Sequence, residues 1–259
     1  MQRVLSTRFL ITCEWGEGAL ESALDHSEPP PNALIIVDVL SFSTCVDMAL
    51  AQGAHIYPYF YKDERALTFA REHQAQLVGS RSKTTPSLSP ASLRFTSPGE
   101  KWVLPSPNGS TLTYRAQEKY PQAAVFTVCF RNALAVAKYI VQRSALKHIH
   151  VIAAGERWPQ NTLRPAWEDF CGAGAFIHEL EKLALQQSAS AQLSARLSFE
   201  ARWARNTFRG CTLAEDLKQC HSGQELIQRG FPEDVDLASA YNSSTVVPQL
   251  QRGAYQNQS

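Results

Sequence analysis

ALIIVDVLSFSTCVDMALAQG, residues 33 to 53, passes from an apolar run broken by a single acid, Asp38, into a helical repeat closed by Gly53. A short run that is apolar on both faces, with β-branched residues and no turn signal inside it, reads as a strand covered from above and below. The following STCVDMALAQG reads as its helix, ended by a glycine. The same alternation recurs along the chain. HIYPYF (55 to 60) is a strand, KDERALTFAREHQ a helix and QLVG (76 to 79) a short strand. KWVLPS precedes a helix from about Ser110 to Lys119, AAVFTVCF precedes RNALAVAKYIVQRS, and HIHVIAAG precedes a long helix opening near Pro165. Continuous apolar strands alternating with helices imply a three-layer α/β/α fold around a mainly parallel or mixed sheet.

From about residue 188 the pattern turns helical, through ASAQLSARLSFEARWARNTF, CTLAEDLKQC, SGQELIQRG and PEDVDLASAY, before a strand-like STVVPQL. No linker composition separates this portion, so residues 1–259 are expected to form one α/β domain, with a division into two sub-lobes left open. SRSKTTPSLSPASLRFTSPGE, residues 80 to 100, reads as a long surface loop, and loops of that length are usually functional or mobile. Whether it closes as a lid is left open.

The chain has 259 residues, 44% apolar and 19% charged, with a formal net charge of +1 from 25 basic and 24 acidic side chains. That balance gives no electrostatic footprint for nucleic acid or an anionic membrane, and a small-molecule partner is favoured. No apolar run approaches the ~18 residues of a membrane span. MQRVLSTRFLITCEW lacks an apolar core followed by a small-residue cleavage site, so a cytoplasmic location is expected. The six cysteines, Cys13, Cys45, Cys129, Cys171, Cys211 and Cys220, contain no C-x-x-C pair and read as reduced thiols rather than disulfides or a zinc site. A homo-oligomer is left open.

In parallel sheets, ligands bind beyond the carboxyl ends of the strands. The groups that follow the expected strands are Asp38 with Ser43 and Thr44, then Asn108, Gly109, Ser110 and Thr111, then Arg131 and Asn132, then Glu156. AAGERWPQNTLRPAWEDFCGAG, residues 153 to 174, adds Glu168 and Asp169 in the first turn of the long helix. Hydroxyl residues opening a helix place backbone N–H groups and the dipole where an oxyanion can bind. Asp38, Glu156 and Asp169 are hard oxygen ligands of the kind Mg²⁺ takes. Such an ion screens carboxylates from an anionic substrate, polarises a phosphoryl oxygen and activates a bound water.

Each group also has a structural reading. Asp38 can hold the turn it enters, Asn108-Gly109 is a common turn dipeptide, and Asn132 can cap its helix. Glu168 and Asp169 suit any first helical turn, and for Glu168 that reading is preferred. His148 and His150 read as satisfied core or surface histidines. Cys171, early in its helix, is read as a buried packing residue ahead of a nucleophilic thiolate.

IVDVLSFSTCVDMALAQGA, SPNGSTL, CFRNALAVA, AAGERWPQNTLRPAWEDFCGAGAFI and SGQELIQRGFPEDVDLASAYNSSTVVPQL together resemble, in that order, the motifs of the 2-phosphosulfolactate phosphatase family. The resemblance runs from about Ala33 to Leu250. It implies a phosphatase-like α/β domain and a Mg²⁺-dependent phosphoric monoester hydrolase, which in some organisms serves coenzyme M biosynthesis by releasing phosphate from 2-phosphosulfolactate. Matched motif by motif, it falls on Asp38, Ser43 and Thr44, on Asn108, Gly109 and Ser110, on Asn132, and on Glu156, Glu168, Asp169 and Cys171. Two positions depart from the family's pattern: Ser41 stands where an arginine is usual and Ser80 where a glutamate is usual.

The expectation is therefore hydrolysis of a small phosphorylated or sulfonated acid. Catalytic and metal-binding carboxylates are Asp38, Glu156 and Asp169, with Mg²⁺ as cofactor and a metal-activated water as nucleophile. Ser43, Thr44, Asn108, Gly109, Ser110, Arg131 and Asn132 are the expected substrate-binding residues. A non-catalytic binder of phosphate or sulfonate is the alternative, and a thiol-dependent phosphatase using Cys171 a weaker one.

Overall fold

A computed structural model describes residues 9–22, 30–60, 64–186 and 195–259. Residues 1–8 of the N-terminal stretch, the start of KDERALTFAREHQ and residues 189–194 of the C-terminal helical reading lie outside them. In chain order the elements are β1 (Phe9–Trp15), α1 (Gly18–Ser22), β2 (Ala33–Val37), α2 (Phe42–Ala51), β3 (His55–Tyr59), α3 (Glu64–Glu72), β4 (Gln76–Leu77), α4 (Pro90–Leu93), β5 (Lys101–Pro105) and α5 (Gly109–Lys119). There follow β6 (Ala124–Thr127), α6 (Ala133–Val141), β7 (His148–Ala153), β8 (Glu156–Arg157), β9 (Leu163–Arg164), α7 (Trp167–Gln186) and β10 (Ala195–Leu197). The chain closes with α8 (Phe199–Gly210), α9 (Leu213–Gln219), α10 (His221–Gln228), α11 (Pro232–Ala238), β11 (Pro248–Gln251) and β12 (Ala254–Asn257).

Ten strands form one mixed sheet in the order β10-β1-β7-β2-β6-β11-β12-β3-β5-β4. The first five are mutually parallel, and so are β3, β5 and β4. Between them the β11–β12 hairpin pairs antiparallel at each of its three interfaces. Three reversals set β3, β5 and β4 running opposite to the first half. Helices cover both faces, as the three-layer reading requires. In β2, Ala33, Ile35 and Val37 enter a core with α6 and α7, while Leu34 and Ile36 pack under α5.

The two halves exchange helices. α2 starts at the end of β2 but packs over the second half, on Ile56, Leu104 and Tyr255. α5 starts at the end of β5 but packs over the first half, on Leu34, Ile36 and Val125. This reciprocal crossing brings the two helix starts together, so ends of strands that lie far apart in the sheet order reach one another.

The structure differs from the sequence reading at five places. β1 and β12 are strands that were not expected, and the two-residue strands β8 and β9 form a small antiparallel hairpin of their own. Residues 195–197, read as helix, form the edge strand β10 on β1, because pairing with Phe9, Leu10 and Ile11 supplies backbone bonds that override local propensity. The 80–99 segment is no free loop. It contains α4, with Ser87, Ser89 and residues 90–93 buried, and the Ser87 and Ser92 hydroxyls bond each other. Among the described residues no helix is long and apolar enough to cross a membrane.

Candidate active site

Asp38 stands at the meeting point of the two helix starts. Its Oδ1 accepts the N–H of Phe42 from α2 at 3.2 Å, and its Oδ2 accepts the N–H of Gly109 from α5 at 2.8 Å. The Ser106 hydroxyl adds a long contact to Oδ2 at 3.5 Å. The carboxylate thus satisfies orphan donors of two helices at once. Gly109 is required here: a Cβ on it would lie 2.3 Å from the Phe42 ring and 2.8 Å from Asp38 Oδ2.

Glu156 follows β7 through Gly155, which has φ +68 and no room for a side chain against Leu163 and the Arg164 carbonyl oxygen. Asn108 Nδ2 donates to Glu156 Oε2 at 2.9 Å, so the loops after β5 and β7 are tied together. Oε1 has no protein partner among the described residues. Asp38, Asn108 and Glu156 line one cavity of about 170 Å³, whose wall also carries Ser41, Ser106, Arg81, Ser222 and Arg229. Behind Ser222 lies Arg164, nine-tenths buried, with Nη2 donating to the Ser222 hydroxyl at 3.2 Å. No carboxylate among the described residues lies in ion-pair range of it. Its charge nonetheless draws Glu156 downward.

The carboxylates repel one another. Burial, against two backbone hydrogen bonds, pushes Asp38 up to about 6. Burial and then the Asp38 charge push Glu156 up to about 7. Asp169 is raised by burial and then by Asp38 and Glu168. This is a negative field without a protein cation close enough to cancel it.

Asp169 plays a different part from the one expected. Its Oδ1 accepts the N–H of Val39 and its Oδ2 the N–H of Gly155, both at 2.8 Å, so it clamps the turn after β2 to the turn after β7. Among the described residues no three acidic, cysteine or histidine side chains converge on one point. The expected three-carboxylate metal set is therefore not assembled: Asp169 lies outside the wall of the cavity that Asp38 and Glu156 share. What remains fits Mg²⁺, which is commonly bound by one or two carboxylates plus water and substrate phosphate. Asp38 and Glu156 share a cavity, are uncompensated, and leave lone pairs unused. Glu168 is buried next to Cys220, whose thiol it raises.

Of the other expected ligands only Asn108 is in the cavity wall, and Gly109 meets the site through its N–H on Asp38. The Ser43 hydroxyl accepts the Asp38 N–H at 2.9 Å and meets Thr127 Oγ1 at 2.7 Å. Thr44 Oγ1 donates to the Val39 carbonyl oxygen and Ser110 Oγ to that of Leu104, each at 2.7 Å. Arg131 pairs with the buried Asp47 at 2.7 Å. Asn132 Oδ1 accepts the Cys129 N–H at 2.9 Å. These small groups are buried, and a buried hydroxyl or amide must find an internal partner. Cys171 sits in the core with its sulfur 3.6 Å from that of Cys211, and burial pushes its thiol far up, which leaves no reactive thiolate there. His150 is held between Thr12 Oγ1 and the Ala19 carbonyl oxygen, and burial lowers it to about 4, as a core histidine.

Ser106, Arg164, Ser222 and Arg229 were not among the expected ligands. Ser106 lies two residues before the expected Asn108 and Arg164 within the quoted 153 to 174 stretch, whereas α10 and its C-cap bring Ser222 and Arg229 from a segment whose pattern signals only an amphipathic helix.

An α/β sheet that exchanges helices across its middle, with acids and arginines facing one small polar cavity at the helix starts, defines the class of protein. A profile of the family described as 2-phosphosulpholactate phosphatase matches residues 20–253, and the chain belongs to that family. A protein of Carboxydothermus hydrogenoformans named "Probable 2-phosphosulfolactate phosphatase" is 31% identical over 228 residues, covering 85% of this chain and 88% of that protein. One of Pseudothermotoga lettingae with the same name is 26% identical over 223 residues, covering 83% and 87%.

Proposed function

We propose that the protein is a Mg²⁺-dependent phosphatase acting on a small phosphorylated acid of the 2-phosphosulfolactate type. The observation that carries the reading is the joint placement of Asp38 and Glu156 in one cavity, both raised by burial and charge, beside guanidinium groups. An equally negative guest could enter such a cavity only if a cation came with it.

Asp38 and Glu156 are the side chains that would hold Mg²⁺, through Glu156 Oε1 and the unused lone pairs of Asp38. When bound, the ion supplies Lewis-acid polarisation of a phosphoryl oxygen and lowers the pKa of a coordinated water. The two helix N–H donors fix the Asp38 carboxylate, so it needs no reorganisation during the reaction. Asn108 fixes Glu156 in the same way. The Ser222 hydroxyl, which accepts from Arg164 behind it, keeps its own proton to offer to a phosphoryl oxygen, and Arg229, paired with Glu225 at 3.4 Å, stands at the rim. Hydrolysis joins the water oxygen to phosphorus, breaks the ester P–O bond and leaves a proton on the released alcohol oxygen.

The test is phosphate release by the purified chain from 2-phosphosulfolactate and 2-phospholactate, with Mg²⁺ and with EDTA. Release with Mg²⁺ that stops in EDTA and returns on adding Mg²⁺ is the expected result. Release that continues undiminished in EDTA, or none from either ester, refutes the reading.

A further inference from the structure

We infer that Arg81 is the specificity-determining residue of this cavity, reading the second anionic group of the substrate, a carboxylate or sulfonate, apart from the phosphoryl group. The inference rests on the phosphatase reading above and deepens it. The cavity lining carries two kinds of group, the acids Asp38 and Glu156 with Asn108, and Arg81 with Ser41.

The Arg81 guanidinium is held from three sides. Nη1 pairs with Asp234 Oδ2 at 2.8 Å, Nη2 donates to Ser41 Oγ at 3.3 Å, and Cζ lies 5.5 Å from the centre of the Phe231 ring. Asp234 is itself fixed, its Oδ1 accepting from Ser89 Oγ at 2.6 Å and from the Ala91 N–H at 3.2 Å. Arg131, beside its buried Asp47, is as exposed as Arg81 beside Asp234, 13% against 14%, but only Arg81 lines the cavity that holds Asp38 and Glu156. Ser41 is the N-cap of α2 yet makes no side-chain cap bond, and its hydroxyl contacts Arg81 instead. A planar guanidinium pinned on one edge presents its remaining N–H groups in fixed directions, which suits recognition of a second oxyanion. The cavity continues past Arg81, Leu88 and Arg229 into a wider cleft, so a substrate longer than phosphate alone has room.

The experiment compares kcat/KM for 2-phosphosulfolactate, 2-phospholactate and isopropyl phosphate in the wild type, Arg81→Gln and Arg81→Lys. These esters carry sulfonate plus carboxylate, carboxylate alone, and neither. Arg81→Lys can keep the Asp234 pair while losing the fork, which separates recognition from folding. The expected result is a fall of about tenfold or more in a preference ratio, expressed in KM. A fall in the first-to-second ratio assigns the sulfonate to Arg81, and a fall in the second-to-third assigns the carboxylate. Unchanged ratios in Arg81→Lys overturn the inference, even if overall activity drops. If the wild type releases no phosphate from any ester, the phosphatase reading fails by itself. Calorimetry with sulfolactate then decides the role of Arg81: binding at least about tenfold weaker in Arg81→Lys supports it, and equal binding overturns it.

Discussion

Two sets of buried carboxylates in this molecule are treated in opposite ways. Asp47 and Asp234 each face an arginine, Arg131 at 2.7 Å and Arg81 at 2.8 Å. Asp38 and Glu156, inside the same framework, have no such partner among the described residues and are raised to about 6 and about 7. Asp47 and Asp234 thus have an arginine each, whereas Asp38 and Glu156 face the cavity without one; Asp169 is buried without a cation too, but spends its oxygens on the amides of two turns. Unpaired buried charge is costly, and its persistence at one place is a mark of a site that meets its counter-charge in a ligand. The sharpest way to break the comparison is to neutralise the unpaired set. Asp38→Asn and Glu156→Gln are each expected to lower Mg²⁺-dependent phosphate release by about 10²–10³-fold, the scale of losing one preorganised electrostatic group. Circular dichroism should remain native, and near-wild-type turnover in either variant would show that the unpaired acids are not the reacting ones.

Neutralising the paired set should do the reverse. Asp47→Asn leaves Arg131 charged and mostly buried with no acid, a defect worth about 3 kcal/mol. For a chain of this size that corresponds to a melting temperature lower by roughly 6–12 °C. Turnover per folded molecule should be retained, because Arg131 and Asp47 contact neither Asp38 nor the cavity wall. A variant that melts normally but turns over slowly would contradict the division between structural and site acids.

The same division explains what could be read from the sequence. β2 and β7 are buried along their whole length and β5 and β6 over most of it, so each is a mainly apolar run, and the acids or amides that follow them stand out. β1 is not of that kind. Phe9, Ile11 and Cys13 are buried while Leu10, Thr12 and Glu14 are half-buried, a period of two mixed with polar residues near an edge. β12 is marked mainly by the buried Tyr255 in a polar run, and its place between β11 and β3 depends on pairing with segments far away in sequence. In the site, Asp38, Asn108 and Glu156 were visible as strand ends. Ser43, Thr44 and Ser110 carry the same signal, but side-chain size and depth turn their hydroxyls to the backbone. Ser222 and Arg229 reach the cavity through a C-terminal helix, and Arg164 reaches Ser222 from a two-stranded hairpin; no local period encodes where those pack.

The smallest effect expected is on pH dependence, and it tests the cause of the shifts directly. An exposed glutamate titrates near ~4.3 and an aspartate near ~3.9. Glu156 and Asp38 titrate higher in the folded chain, about 7 and about 6, so between these values the folded state binds more protons than the unfolded one. Stability then falls as pH rises through that window, and the loss is complete above about 7. Without added metal, the melting temperature should therefore drop by a few degrees between about pH 4.5 and pH 7.5, at roughly 2–4 °C per kcal/mol for a chain this long. Glu156→Gln should remove part of that slope by abolishing the highest of the titrations given above, near 7. Mg²⁺ should also flatten it, since an ion that binds the ionised pair stabilises the folded state most where both carboxylates have lost their protons. A slope that is the same in wild type, in Glu156→Gln and with saturating Mg²⁺ would place the titrating groups elsewhere in the molecule and leave the unpaired acids without the energetic signature their burial demands.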